Sequence, residues 1–102
     1  MNQTDKILKA IQVLNKAIEL APENADAYNE RGIAKGKLDD HRGAIQDFDK
    51  AIELDSKNYY PYLLKGFEEM SLGDKEGACL TWSKISELCE IDAYWLVKEF
   101  CD

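Results

Sequence analysis

The 102-residue chain spells AIELAPEN at residues 17–24 and AIELDSKN at residues 51–58, and the two stretches begin 34 residues apart. A period of that length marks a supersecondary unit used more than once, and it restricts what every residue in between can be doing. Steps of 34 align Ala10, Ala44 and Ala78, then Leu14, Phe48 and Trp82, then Leu20, Leu54 and Leu88. Ala17 and Ala51 are followed by Ile85, and Gly32 by Gly66. Large positions recur as large and small ones as small, which is the signature of repeated packing. None of the echoed residues is a nucleophile, a base or a metal ligand.

Inside each unit the spacing is helical. Ala44, Ile45, Phe48, Ala51 and Ile52 recur at three and four residues and place an apolar stripe on one helix face. Tyr28, Arg31, Gly32 and Lys35 mark a helix before it, and LDDHRG at 38–43 and LGDKEG at 72–77 carry the turns. Gly73 suits the left-handed conformation that ends a helix. Asn24, Asn58 and Asp92 fall on the period as helix N-caps, and Pro61 lies in the first turn after the second of them. The pattern predicts helices at 4–20, 25–37, 42–54, 59–71, 75–88 and 93–100, and no strand. Gly32 opposite Ala44 lets paired backbones approach, with Phe48 filling the space beside them. One pair cannot bury both of its apolar faces, so stacking on the next pair completes the core.

The helix–turn–helix period of 34, with Tyr28, Gly32, Ala44, Phe48 and Ala51 in order, resembles the tetratricopeptide repeat. The resemblance covers nearly the whole chain as a half repeat at 4–20, repeats at 25–58 and 59–92, and a capping helix at 93–102. The family's proline near the end of the unit is present as Pro22 but is Ser56 and Glu90 later, and its leucine before the glycine is Arg31 and then Lys65. Arg31 is either paired with Asp47 across its helix pair or solvated. What the resemblance implies is an all-α, right-handed superhelical stack of antiparallel helix pairs. Its concave surface is lined mainly by the first helix of each pair, and a non-catalytic scaffold for another polypeptide is expected.

On the resembled fold, the groove positions fall at Asn29, Ile33, Gly36 and Lys37, at Tyr60, Leu63, Leu64, Phe67 and Met70, and at Tyr94, Val97 and Lys98. The partner-binding residues expected from this set are Asn29, Ile33, Tyr60, Leu63, Phe67, Met70, Tyr94 and Val97. Some family members hold a partner's C-terminal carboxylate with several Lys, Arg and Asn. Here Asn29 and Lys98 match in kind, while Leu63 and Phe67 stand where polar grips would be. Tyr60, Leu63 and Phe67 fall at steps of α-helical spacing off the core face, which is assigned to Tyr62, Gly66, Ala78, Trp82 and Ile85.

Charge narrows the partner. The net charge is −7, and it is concentrated late: residues 1–24 balance, 25–58 carry six bases against eight acids, and 59–102 carry four against nine. Such a surface repels phosphates, so neither nucleic acid nor an anionic membrane is expected, and an apolar or basic polypeptide is. No apolar run reaches membrane-spanning length, and MNQTDKILKA lacks a signal peptide's basic start and apolar stretch, so the reading is cytoplasmic. Cys79, Cys89 and Cys101 form no C-x-x-C, and free thiols are favoured, with a Cys79–Cys101 disulfide the alternative in an oxidising compartment.

No catalytic residue, metal or cofactor is expected. His41 sits beside Asp39 and Asp40, but a lone histidine in a helix-connecting turn is ordinarily solvated and no second nitrogen ligand accompanies it. Adjacent carboxylates such as Glu68 and Glu69 point in different directions on a helix, and Gly32 to Gly36 lacks phosphate-loop spacing. Helix 4–20 reads as the second member of a pair without its first. Its stripe of Ile7, Leu8, Ile11, Leu14 and Ile18 leaves apolar surface open, so a homodimer, or helix exchange between chains, is expected as an alternative use of the array.

Overall fold

The computed structural model describes residues 2–89 and 94–101, and every element in them is helical. Helices α1 (Gln3–Leu20), α2 (Ala25–Lys37), α3 (His41–Leu54), α4 (Tyr60–Ser71), α5 (Lys75–Cys89) and α6 (Tyr94–Cys101) follow in chain order. Each boundary lies within one residue of the sequence expectation. Consecutive helices pack on one another, and α2 also touches α4, giving a stack of 41 × 28 × 17 Å.

Local chemistry sets the ends. The side chain of Asn2 accepts from the Asp5 amide, that of Asn24 from Ala27, and that of Asp40 from Gly43. Asp74 repeats the Asp40 bond one period later, on Gly77. Each satisfies one of the four orphan donors of a helix start. Asn58 departs from its expected role: the N-cap is Tyr59, which makes no side-chain cap bond, and Asn58 instead accepts from the Tyr60 amide just inside the helix. Pro61 follows in the first turn, where its missing N–H leaves nothing unpaired. The expected Asp92 cap lies outside the described residues.

The α2–α3 and α4–α5 turns are built alike. Asp40 N–H donates to Lys35 O and Asp39 N–H to Gly36 O; Asp74 donates to Glu69 O and Gly73 to Met70 O. This double bond across a helix end requires positive φ at the residue after the cap. Gly73 takes φ 82° there without strain, but in the first turn the same place is held by Asp39, at φ 63°. Replacing Asp39 with glycine is expected to raise stability by roughly 0.5 kcal/mol, the relief of the left-handed strain exceeding the added freedom of the unfolded chain. An upward shift of the urea midpoint checks this, since the Asp39 carboxylate is almost fully exposed and anchors nothing else strongly.

Two sets of residues, one period apart, make the core. Ala44, Phe48 and Ala51 are buried between α2 and α3, and Ala78, Trp82 and Ile85 between α4 and α5. The glycines opposite them permit the approach: a Cβ on Gly32 would lie 2.7 Å from a ring carbon of Phe48, and one on Gly66 would strike the indole of Trp82. The same residues in the half repeat are not buried. Ala10 is exposed, and Leu14 and Ala17 are only half-buried.

Candidate functional site

The concave face depends on how the first helices of each pair are held, and polar contacts do much of the holding. Arg31 donates from Nε and Nη2 to the two oxygens of Asp47, at 2.9 and 2.7 Å, and from Nη1 to Asn15 on α1 at 2.9 Å. Lys35 adds a second cation 3.2 Å from Asp47. Asp47 is buried, so the bidentate pairing is what makes its charge tolerable, and the hydrogen bond to Asp47 raises the Arg31 pKa further above its ordinary value. Of the two readings open for Arg31, the structure selects the pair. The arrangement repeats with changed chemistry: Lys65 meets Asp49 at 2.7 Å, sixteen residues back as Arg31 meets Asn15, and Thr81 donates to Glu69 at 2.6 Å in the slot used by Asp47 and Lys35.

His41 corrects the expectation of a solvated side chain. Its Nδ1 donates to Glu68 on α4 at 2.5 Å, both groups are half-buried, and Nε2 lies 3.8 Å from Asp39. The pair ties the start of α3 to α4, where Glu68 lies against Gly36, whose missing side chain leaves room for it. Among the described residues, no group of three or more His, Cys, Asp and Glu is placed to hold a metal ion.

The eight expected groove residues divide. Tyr60 and Phe67 are exposed on α4, at 43% and 40%. Leu63, expected off the core face, and Met70 pack against the Ala78–Trp82–Ile85 cluster together with Val97 of α6. The reason is the size of Trp82. Its indole reaches across the Gly66 gap to donate to Leu63 O at 3.1 Å, so the core extends to the near edge of the stripe. Phe67 is exposed yet not free-standing, since its ring lies edge-on to Trp82 at 5.0 Å and to Phe100 at 5.9 Å. Ile33 is separated from this cluster and lines a groove between α1 and α2. Asn29 is buried, and its Oδ1 has no hydrogen-bond partner. The side chain of Tyr94 lies outside the described residues.

The sequence reading did not place Phe100 beside the expected groove residues, and it ranked the bond that positions it second. Cys79 and Cys101 are joined as a disulfide, which overturns the free thiols favoured for that pair and bolts α6 to α5. The signal was present in the sequence: Cys79 lies directly after the buried Ala78, and Cys101 closes the capping helix. What the arrangement can do is bind. It presents the exposed rings of Tyr60 and Phe67 over the aliphatic side chains of Leu63, Met70 and Val97.

Two family models match. One described as tetratricopeptide repeat covers residues 25–58, and one described as TPR repeat covers residues 3–39. Among solved structures, the TPR domain of Arabidopsis OM64 is similar at 27% identity and TM-score 0.82, over 93% of this chain and 79% of that one. The TPR2B domain of yeast Sti1, solved as a complex with pHsp70, is similar at 25% identity and TM-score 0.80, over 94% and 80%. MamA of Desulfovibrio magneticus RS-1 is similar at 26% identity and TM-score 0.78 over 81% of this chain, which spans under half of that protein at 47%. No curated protein matches the chain. The two family matches together run from residue 3 to residue 58, the repeat period, turn chemistry and glycine–aromatic packing agree with them, and the chain belongs to the tetratricopeptide repeat family.

Proposed function

We propose that the chain is a non-catalytic interaction module whose concave face binds a peptide or amphipathic helix of apolar, basic-flanked character. The observation that carries this is the α4 surface, where the rings of Tyr60 and Phe67 stand exposed above a packed base of Leu63, Met70 and Trp82. Aromatic side chains on a firm support give contact area at low ordering cost, and a methionine beside them adapts to the partner. That a neighbour of 25% identity is solved as a complex with pHsp70 supports polypeptide binding in general. The apolar Leu63 and Phe67 argue for a partner unlike an acidic C-terminus.

Tyr60 gives the cleaner test. Phe67→Glu is expected to remove binding but also to cost about 1 kcal/mol of stability, because that ring touches Trp82 and Phe100. Tyr60→Glu touches no such cluster. A partner captured by the parent protein should be lost by roughly 30-fold or more in affinity to Tyr60→Glu, at unchanged helicity and Tm. Retained binding by Tyr60→Glu and Phe67→Glu together would move the site off this face.

A further inference from the structure

Helix α1 repeats the second helix of each pair, and the positions that are sealed in the two complete repeats are open in it. Ala44 and Ala78 are 0% exposed, Phe48 and Trp82 are 1% and 0%, whereas the matching Ala10 is exposed and Leu14 half-buried. Val13 is 63% exposed and Leu20 75%. The open face borders a groove of about 200 Å³ between α1 and α2, with Lys6 and Lys37 at one end. Glycine-bearing α2 and α4 show what such a surface accepts: an antiparallel helix with a small residue at the closest approach.

We propose that this face is covered by α1 of a second copy of the chain, in an isologous two-fold pair. Six positions along the open face, 7, 10, 13, 14, 17 and 20, are apolar in both directions. About the midpoint between Val13 and Leu14, Ile7 stands opposite Leu20 and Ala10 opposite Ala17. A two-fold axis at that midpoint therefore lets the same apolar patch of both copies meet, as an isologous interface requires. Charge agrees with the antiparallel direction. Lys6 of each copy comes to the C-terminal end of the other α1, whose last turn carries no basic residue and whose carbonyls hold the negative end of the helix dipole. Val13 occupies the slot held by Asp47 one period later, so this face asks for no arginine from the helix that covers it. The interface is separate from the α4 surface of Tyr60 and Phe67 and does not depend on it.

Sedimentation over a wide concentration range tests the pair. The parent is expected to pass from monomer to dimer, and Val13→Lys and Ala10→Arg each to weaken the dimer about 100-fold while keeping helicity, since both sites are exposed in the single chain. In a Cys89→Ser background, Val13→Cys beside the axis should form a covalent dimer under mild oxidation, and Gln12→Cys, exposed on the far side of α1, should not. A monomer mass at every concentration overturns the proposal and leaves the face to a different polypeptide. So does a dimer indifferent to both α1 substitutions, or one that Val13→Cys cannot link.

Discussion

Gly66→Ala is expected to destabilise the chain by about 1–3 kcal/mol, although alanine is the better helix former by about 1 kcal/mol. The position is interior to α4, so backbone freedom is not the issue. A Cβ there would meet three atoms of the Trp82 indole, including Cδ1 at 2.6 Å. Trp82 is wholly buried and cannot swing aside, and its Nε1 donates to Leu63 O, so any retreat stretches that bond. Overpacking of roughly 1–3 kcal/mol and a weakened buried hydrogen bond of about 1 kcal/mol then outweigh the gain in propensity. For a chain of this length total stability is on the order of 5 kcal/mol, which makes the loss a large fraction. Gly32→Ala should cost less, because Phe48 makes no equivalent polar bond to lose. Urea unfolding of the two variants checks both size and order, and a Gly66→Ala midpoint equal to the parent's would refute the packing account.

The same contact shows how far the sequence could be read. The 34-residue period made Gly66 and Trp82 neighbours before any coordinates, because repetition supplies the comparison that one unit lacks. Helix spans followed from spacing and turn residues for the same reason. What the period could not deliver was anything that differs between copies. Phe48 becomes Trp82, and only the longer side chain reaches Leu63 and draws the near edge of the expected groove into the core. Asp39 replaces the glycine of the second turn, and positive φ at an aspartate has no sequence mark of its own. His41 was read as solvated because its partner, Glu68, is 27 residues away on another helix, outside any local pattern. The face proposed for a partner was legible only as a set of positions. Which of them stay exposed was decided by Trp82 and by the capping helix, where the repeat pattern ends.

That capping helix carries the other large expected effect. Reduction of Cys79–Cys101 should lower stability by up to about 3 kcal/mol, the loop-closure contribution for partners 22 residues apart. The loss should be felt first in α6. At eight residues it is shorter than the roughly 12–15 that hold a helix together in water, so it depends on its contacts. Those are Val97 and Cys101 on the Ala78–Trp82–Ile85 cluster, and Phe100 against Phe67 and Trp82 at 5.9 and 5.3 Å. Amide exchange should therefore accelerate in α6 on adding a reductant while α2 and α3 stay protected, and Cys101→Ser should behave like the reduced parent and respond to reductant no further. Equal urea midpoints with and without reductant would sink the idea. The consequence for binding follows from geometry: when Phe100 leaves, Phe67 gains exposure on the face proposed for the partner. In an oxidising compartment the bond keeps that end of the face covered by the chain's own aromatic ring. Among reduced thiols, a partner competes only with the packing of one short helix.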